Sequence, residues 1–266
     1  MMQYVNKHRL RYSQASEKFH DPRGRIKNLL KVILIASLAA FVFLSFFRPP
    51  LPSKDGILKE IINNEPSQKT LPKKEEVIKI DGFDYKLTIR DSYEIWGLVV
   101  SGYNTNDWLD ITHKKDPGNI QDICVVWGKN ITSEAYRNVH YKSGEYVCYY
   151  SWKGSAPEFY GDYLSNNHLI PKDEIVASQI RKVAIGDQIH IKGYLVDYGV
   201  SQDGQQIFTR KTSTIRGDNG MGACEIIYVE NLAVLAGSNI IFQYIKNLTL
   251  YSALLSGLWW IGLILF

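Results

Sequence analysis

Val77-Ile78-Lys79-Ile80-Asp81-Gly82-Phe83-Asp84-Tyr85-Lys86-Leu87-Thr88-Ile89 is the stretch that decides the fold class. Two runs of alternating apolar and polar side chains flank Asp81-Gly82. A two-residue turn of this kind needs positive φ at both positions, which Asp and Gly tolerate best, so the stretch reads as a β-hairpin. Downstream, Tyr93 to Ser101 is apolar almost throughout, as a buried strand requires. Residues 102–121 are a long polar loop. Ile123-Cys124-Val125-Val126-Trp127 and Tyr146-Val147-Cys148-Tyr149-Tyr150 are dominated by β-branched and aromatic residues and read as two more strands.

One helix stands out. Pro171, Asp173 and Glu174 suit its first turn, Arg181 and Lys182 suit its last, and Gly186 is placed to stop it. Asp187 to Asp197 then alternates as a strand, with Gly193 marking a bulge or bend. Gln206–Thr209 and Glu225–Leu235 complete the set. The expected fold is therefore mainly β with one clear helix over 77–238: a bent sheet or small barrel, OB-like in its passage from helix to bent strand.

Apolar segments lie on both sides of this domain. Leu29–Phe47 is nineteen residues with one charge, Lys31, and Leu248–Phe266 is nineteen residues with none. Each is long enough to cross a hydrocarbon core of ~30 Å as a helix. Residues 1–28 carry seven basic and two acidic side chains. That bias places the N-terminus in the cytoplasm and the domain outside it. The exit Phe46-Phe47-Arg48-Pro49-Pro50 lacks the small residues of a cleavage site, so the first segment reads as an uncleaved anchor. Residues 48–76, punctuated by proline and filled with Lys and Glu, read as a linker with a short helix over 57–62. Ala36 with Ala40, Ser252 with Ser256 and Ala253 with Gly257 put small residues on one face of each span, which suits packing of the spans on each other or on another protein.

The chain carries a net charge of +4 and 45% hydrophobic residues. Since the first 28 residues hold more than this excess, the domain is near neutral, and a partner role for nucleic acid is excluded. Three cysteines, Cys124, Cys148 and Cys224, form no CxxC or Cys/His cluster, so no metal or other cofactor is expected. If the strands of Cys124 and Cys148 pair, the two thiols come within bridging distance; the alternative is two buried free thiols.

Trp127-Gly128-Lys129-Asn130, Cys148 with its aromatic neighbours, Leu164-Ser165-Asn166-Asn167-His168-Leu169, Gly186-Asp187-Gln188-Ile189 and Gly222-Ala223-Cys224-Glu225 together resemble a bacterial family of membrane-anchored proteins of unassigned activity. The resemblance covers about half the chain. It implies a bacterial source and the cytoplasmic (inner) membrane, and it supplies no catalytic roles.

Three functions compete on the residues. A scaffold or accessory module would use the lipid bilayer and a membrane or envelope protein as partners, holding the domain near the bilayer at high effective concentration. A thiol-dependent hydrolase would use Cys224 as nucleophile, His168 as base and Asn167 as orienter, with Gly220 to Gly222 supplying an oxyanion hole. Against this, a cysteine opening an apolar strand also suits a core position, and His168 also suits a turn. A glycan-binding module would stack sugars on the loop 152–163, through Trp152, Phe159 and Tyr160.

Overall fold

The computed structural model describes residues 22–46, 50–105, 113–144, 146–218, 223–237 and 240–265. The basic leader up to residue 21, part of the polar loop and Gly220 to Gly222 lie outside these residues. The described residues form two compact units, one of those within 1–49 and 240–266, the other of those within 50–239.

The first unit consists of α1 (Pro22–Phe46) and a long C-terminal helix (Ile240–Leu265), both long and apolar enough to cross a membrane. They pack antiparallel. Leu34 lies against Gly257, the Ser37 and Ser252 hydroxyls are hydrogen-bonded at 2.9 Å, and Lys246 sits over the Phe41 ring. Ser256 is buried and donates its hydroxyl to the helix backbone, so this polar group is satisfied within its own helix. Small residues thus bring these two helices onto each other, while Trp259 faces outward.

The second unit begins earlier than the proline-rich composition suggests. Residues 50–76 are not a free linker: α2 (Lys59–Asn63) buries Ile61, Ile57 is also buried, and β1 (Ser67–Ile80) is already in the sheet. Apolar anchors at 57 and 61 outweigh the charged composition around them. β2 (Phe83–Asn104) joins the Asp81-Gly82 hairpin and the Tyr93–Ser101 run into one strand of 22 residues. Both turn residues take positive φ. β3 (Gln121–Val126) is followed by α3 (Lys129–Thr132) and by a two-stranded sheet of β4 (His140–Gly144) and β5 (Val147–Ser151). Then come β6 (Leu164–Pro171), α4 (Glu174–Ile180), β7 (Gln188–Gln202), β8 (Gln205–Arg210) and β9 (Glu225–Ala236), and the C-terminal helix is α5. Asp173 caps α4, accepting from the Val176 N–H; Pro171 ends β6 rather than opening the helix.

The pairing runs β2-β3-β6-β9-β7 and returns to β2, whose earlier part pairs with β7 and whose end pairs with β3. β6 and β9 are the one parallel pair among the described strands. β1 and β8 extend the sheet beyond this ring. Inward from the ring lies the larger core, with Ile95, Ile123, Val125, Leu169, Ile191 and Ile227 closed off by Val176, Ala177 and Ile180 of α4. A second core lies on the opposite face, where Ile170 and Ile226 meet Tyr85, Leu87, Val196 and Tyr198 of the extended strands. Alternate residues of a strand face opposite sides. β6 and β9 are therefore buried on both faces, and neither shows simple alternation. At Gly193 the ring bends: a Cβ there would stand 2.1 Å from the Tyr228 carbonyl oxygen, so only glycine fits.

Candidate functional site

β6 carries an unusual load for a strand buried on both faces: Ser165-Asn166-Asn167-His168. Buried polar groups must find partners, and neighbouring strands supply them. Pairing sets Asp122 of β3 opposite His168, and Cys124 opposite Asn166. On the other side, Asn167 pairs with Glu225, so Cys224 falls beside Asn166. One face of three adjacent strands thereby gathers Asp122, Cys124, Asn166, His168 and Cys224.

His168 is 2% exposed and Asp122 is 0% exposed. His168 Nδ1 lies 2.7 Å from Asp122 Oδ1, which also accepts from Asn119 Nδ2 at 2.8 Å. Cys224, on the same face, is near enough to act on the charge of the imidazole. Burial works against a charge on His168, but the adjacent carboxylate and its hydrogen bond outweigh it, with Cys224 adding to the effect, and the pKa is raised to about 9. The imidazole is therefore a buried cation at neutral pH, held between a carboxylate and a sulfur.

Cys224 is partly exposed and not disulfide-bonded. Its Sγ lies 3.4 Å from Asn166 Nδ2 and 3.4 Å from the Tyr146 carbonyl oxygen, to which Asn166 also donates at 3.1 Å. Tyr146 reaches this position at a φ of +59°, in the left-handed region that bulky residues avoid. Such strain persists only where the surroundings hold it, and it concentrates at functional sites. Here the hold is plain. Arg210 lies over the Tyr146 ring, whose edge meets the His168 ring. The Tyr146 hydroxyl, with those of Tyr85 and Tyr198, donates to the buried carboxylate of Asp116.

Cys124 and Cys148 are disulfide-bonded, with Cα atoms 6.1 Å apart, joining β3 to the β4–β5 sheet. That sheet is also fastened to β2 by Ser143, whose N–H and hydroxyl both donate to Ser101 Oγ at 2.9 Å.

Asn167 does not orient the histidine. It points to the opposite face, donating to Ser165 Oγ at 2.9 Å and to the Ile123 carbonyl at 3.4 Å. The orienting group is Asp122, one residue past the stretch read as a polar loop. Glu225, also on the opposite face, is paired with Arg216 at 3.3 Å. Burial pushes its carboxyl up to about 7 against the pull of Arg216. Arg216 in turn lies over the rings of Tyr93 and Trp127. Asp122 and Arg216 carry no motif signal, and Asn166 and Glu225 stand in the segments that carry the resemblance without a role assigned to them; a run of four polar residues ending in histidine, in a β-rich region, is the available signal.

The aromatic loop forms its own cluster. Tyr150 stacks with Trp152 at 6.3 Å and lies 5.1 Å from Phe159, while Tyr160 packs edge-on to Tyr163. Tyr149, Tyr150 and Trp152 are exposed, and Trp152 lines an open cavity with Arg137, His140 and Lys153. His190 is stacked on Trp96 and bonded to Glu94 at 2.8 Å. Among the described residues no three His, Cys, Asp or Glu side chains are arranged to hold a metal. No family model matches the chain, and neither a curated protein nor a solved structure is significantly similar to it.

Proposed function

We propose that this chain is a membrane-anchored thiol enzyme whose domain lies outside the cytoplasmic membrane, with Cys224 as nucleophile, His168 as its proton partner and Asp122 as the group that orients and charges the histidine. The observation that carries this reading is the gathering of Asp122, His168 and Cys224 on one face of β3, β6 and the entry to β9, with His168 bonded to Asp122 and Cys224 near enough to act on its charge. A cation beside a cysteine sulfur favours the thiolate, the form that attacks. In the reaction, Cys224 adds to an electrophilic centre and His168 returns its proton to the leaving group. Asp122 keeps the Nδ1 proton in place and compensates the imidazolium, the part a carboxylate plays in hydrolase triads. Asn166 donates to the sulfur and limits its rotation.

The topology supports the placement. In the ring order β2-β3-β6-β9-β7, α4 lies between the third and fourth strands along the chain, and the third and fifth are parallel, which is the pattern of an OB-like barrel. Such barrels use the surface of their second and third strands for ligands. Those strands are β3 and β6, which carry Asp122 and His168. The basic leader supports an inside N-terminus, and a disulfide beside a free thiol supports an oxidising compartment. A second reading, capture of a membrane or envelope partner or of a glycan, is favoured by the exposed Tyr150–Trp152 stack and does not compete for the same residues.

Labelling of intact cells with a membrane-impermeant maleimide tests both halves of the proposal. The expected result is modification of Cys224 without lysis, and its loss in His168→Gln. Labelling only in lysed cells contradicts the location, and labelling only after denaturation contradicts the thiol site.

A further inference from the structure

The same face that holds Cys224 holds the disulfide. The Asn166 amide touches both: its Nδ2 lies 3.4 Å from Cys224 Sγ and its Oδ1 3.9 Å from Cys124 Sγ. Tyr146, two residues before Cys148, contributes the carbonyl that lies against Cys224. Resting on the thiol reading above, we propose that Cys224 and the Cys124–Cys148 disulfide form one three-cysteine exchange unit, in which the bridge moves between Cys124–Cys148 and Cys148–Cys224, so that sulfur is the electrophile on which this thiol acts.

The choice of Cys148 as the shared member follows from the strand order. Cys124 and Cys224 lie on either side of β6, two ladder spacings or roughly 9.5 Å apart in backbone terms. Bridged cysteines have Cα atoms within about 7 Å, so a Cys124–Cys224 bond would require the ring to break. Cys148 sits instead on the separate β4–β5 sheet, whose described hydrogen bonds to the ring are few. A shift of that sheet over Asn166 breaks the Ser143–Ser101 and Asn166–Tyr146 bonds but no ladder bond of the ring.

The step balances without an external oxidant. Cys224, as the thiolate beside the already protonated His168, attacks Cys148 Sγ. The Cys224–Cys148 bond forms as the Cys124–Cys148 bond breaks, and Cys124 leaves as a thiolate that takes up the proton from His168. One disulfide and one thiol are present before and after, and the thiol has moved from the edge of β9 to the centre of β3.

Disulfide mapping of the full-length protein tests this. The protein in detergent is held in a glutathione/glutathione disulfide buffer, quenched with N-ethylmaleimide and digested. The expected result is a Cys148–Cys224 linked peptide with alkylated Cys124, growing with time beside the Cys124–Cys148 peptide. In Cys124→Ser, glutathione disulfide takes two electrons from Cys148 and Cys224, and their bridge becomes the dominant oxidised form. Should that variant not fold, the wild-type map decides alone. A wild type that yields only the Cys124–Cys148 peptide overturns the exchange, as does a folded Cys124→Ser protein carrying separate glutathione adducts. Prompt alkylation of native Cys224 without any such bridge removes the exchange and leaves the thiol site standing; absence of alkylation removes both.

Discussion

Replacing Asp122 by asparagine separates the charge at the site from its shape. Asp122 Oδ1 accepts from His168 at 2.7 Å and from Asn119 at 2.8 Å, and an amide oxygen can keep both bonds. Oδ2 is buried without a partner, so the new NH2 group would stand unsatisfied there, at a cost of about 1–3 kcal/mol. The larger change is electrostatic. In the wild type the carboxylate overrides the burial that opposes a charge on His168, raising its pKa to about 9 from 6.5. With the carboxylate gone, burial prevails and His168 titrates below its ordinary value. The swing exceeds about 3 kcal/mol in preference for the imidazolium, since each pH unit corresponds to about 1.4 kcal/mol. His168 is then neutral at pH 7, and alkylation of Cys224 by iodoacetamide slows by roughly tenfold or more, after the partial compensation by which a more basic thiolate is more nucleophilic. Histidine NMR titration of the full-length protein reads the first effect, and peptide-resolved alkylation reads the second. A His168 that still titrates near 9 in Asp122→Asn, or a Cys224 that reacts at the wild-type rate, refutes the reasoning.

Three further outcomes follow from the same geometry. His168 is protonated more strongly folded than unfolded, so its contribution, of order 3 kcal/mol, is complete below pH 6.5 and lost as pH rises through about 9; raised Glu225 acts with the same sign between pH 4.5 and about 7. Urea midpoints should therefore fall from pH 6 to pH 9.5, and a rise would show that these groups are not coupled to folding. Asp116→Ala leaves the hydroxyls of Tyr85, Tyr146 and Tyr198 without their carboxylate and should destabilise the domain by at least about 3 kcal/mol, measured by the same unfolding; a loss under about 1 kcal/mol would show that water replaces it. Gly193→Ala puts a methyl group 2.1 Å from the Tyr228 carbonyl and should prevent accumulation of folded protein, whereas Gly82→Ala, with open space around it, should be tolerated to within about 1–2 kcal/mol. Equal expression of the two variants would refute the bend at Gly193.

The parts of the fold written in periodicity were legible. The Asp81-Gly82 hairpin, the alternation after Gly186 and the two apolar spans each stem from one local rule. β6 was not legible, because it lies between two cores and its outward positions are polar. No period marks a strand whose second face is filled by Asn166 and His168. Residues 50–76 misled for the opposite reason: a charged, proline-rich composition hides two isoleucines that reach the core. Cys224 and His168 were visible as residue types, but nothing local links them. Their meeting depends on a parallel pairing of β6 with β9, a long-range register that sequence spacing does not encode. Asp122 carries no local signal because it follows a polar loop, although as the second residue of a strand it faces His168 directly.

The most direct measurement is the second-order rate of iodoacetamide alkylation at Cys224 at pH 7, in the folded full-length protein and in the same protein unfolded. An ordinary thiol is only a few per cent thiolate at that pH. A thiolate held by His168 and Asp122 reacts faster folded than unfolded, and His168→Gln removes the advantage. A Cys224 that reacts only once the chain is unfolded contradicts the site.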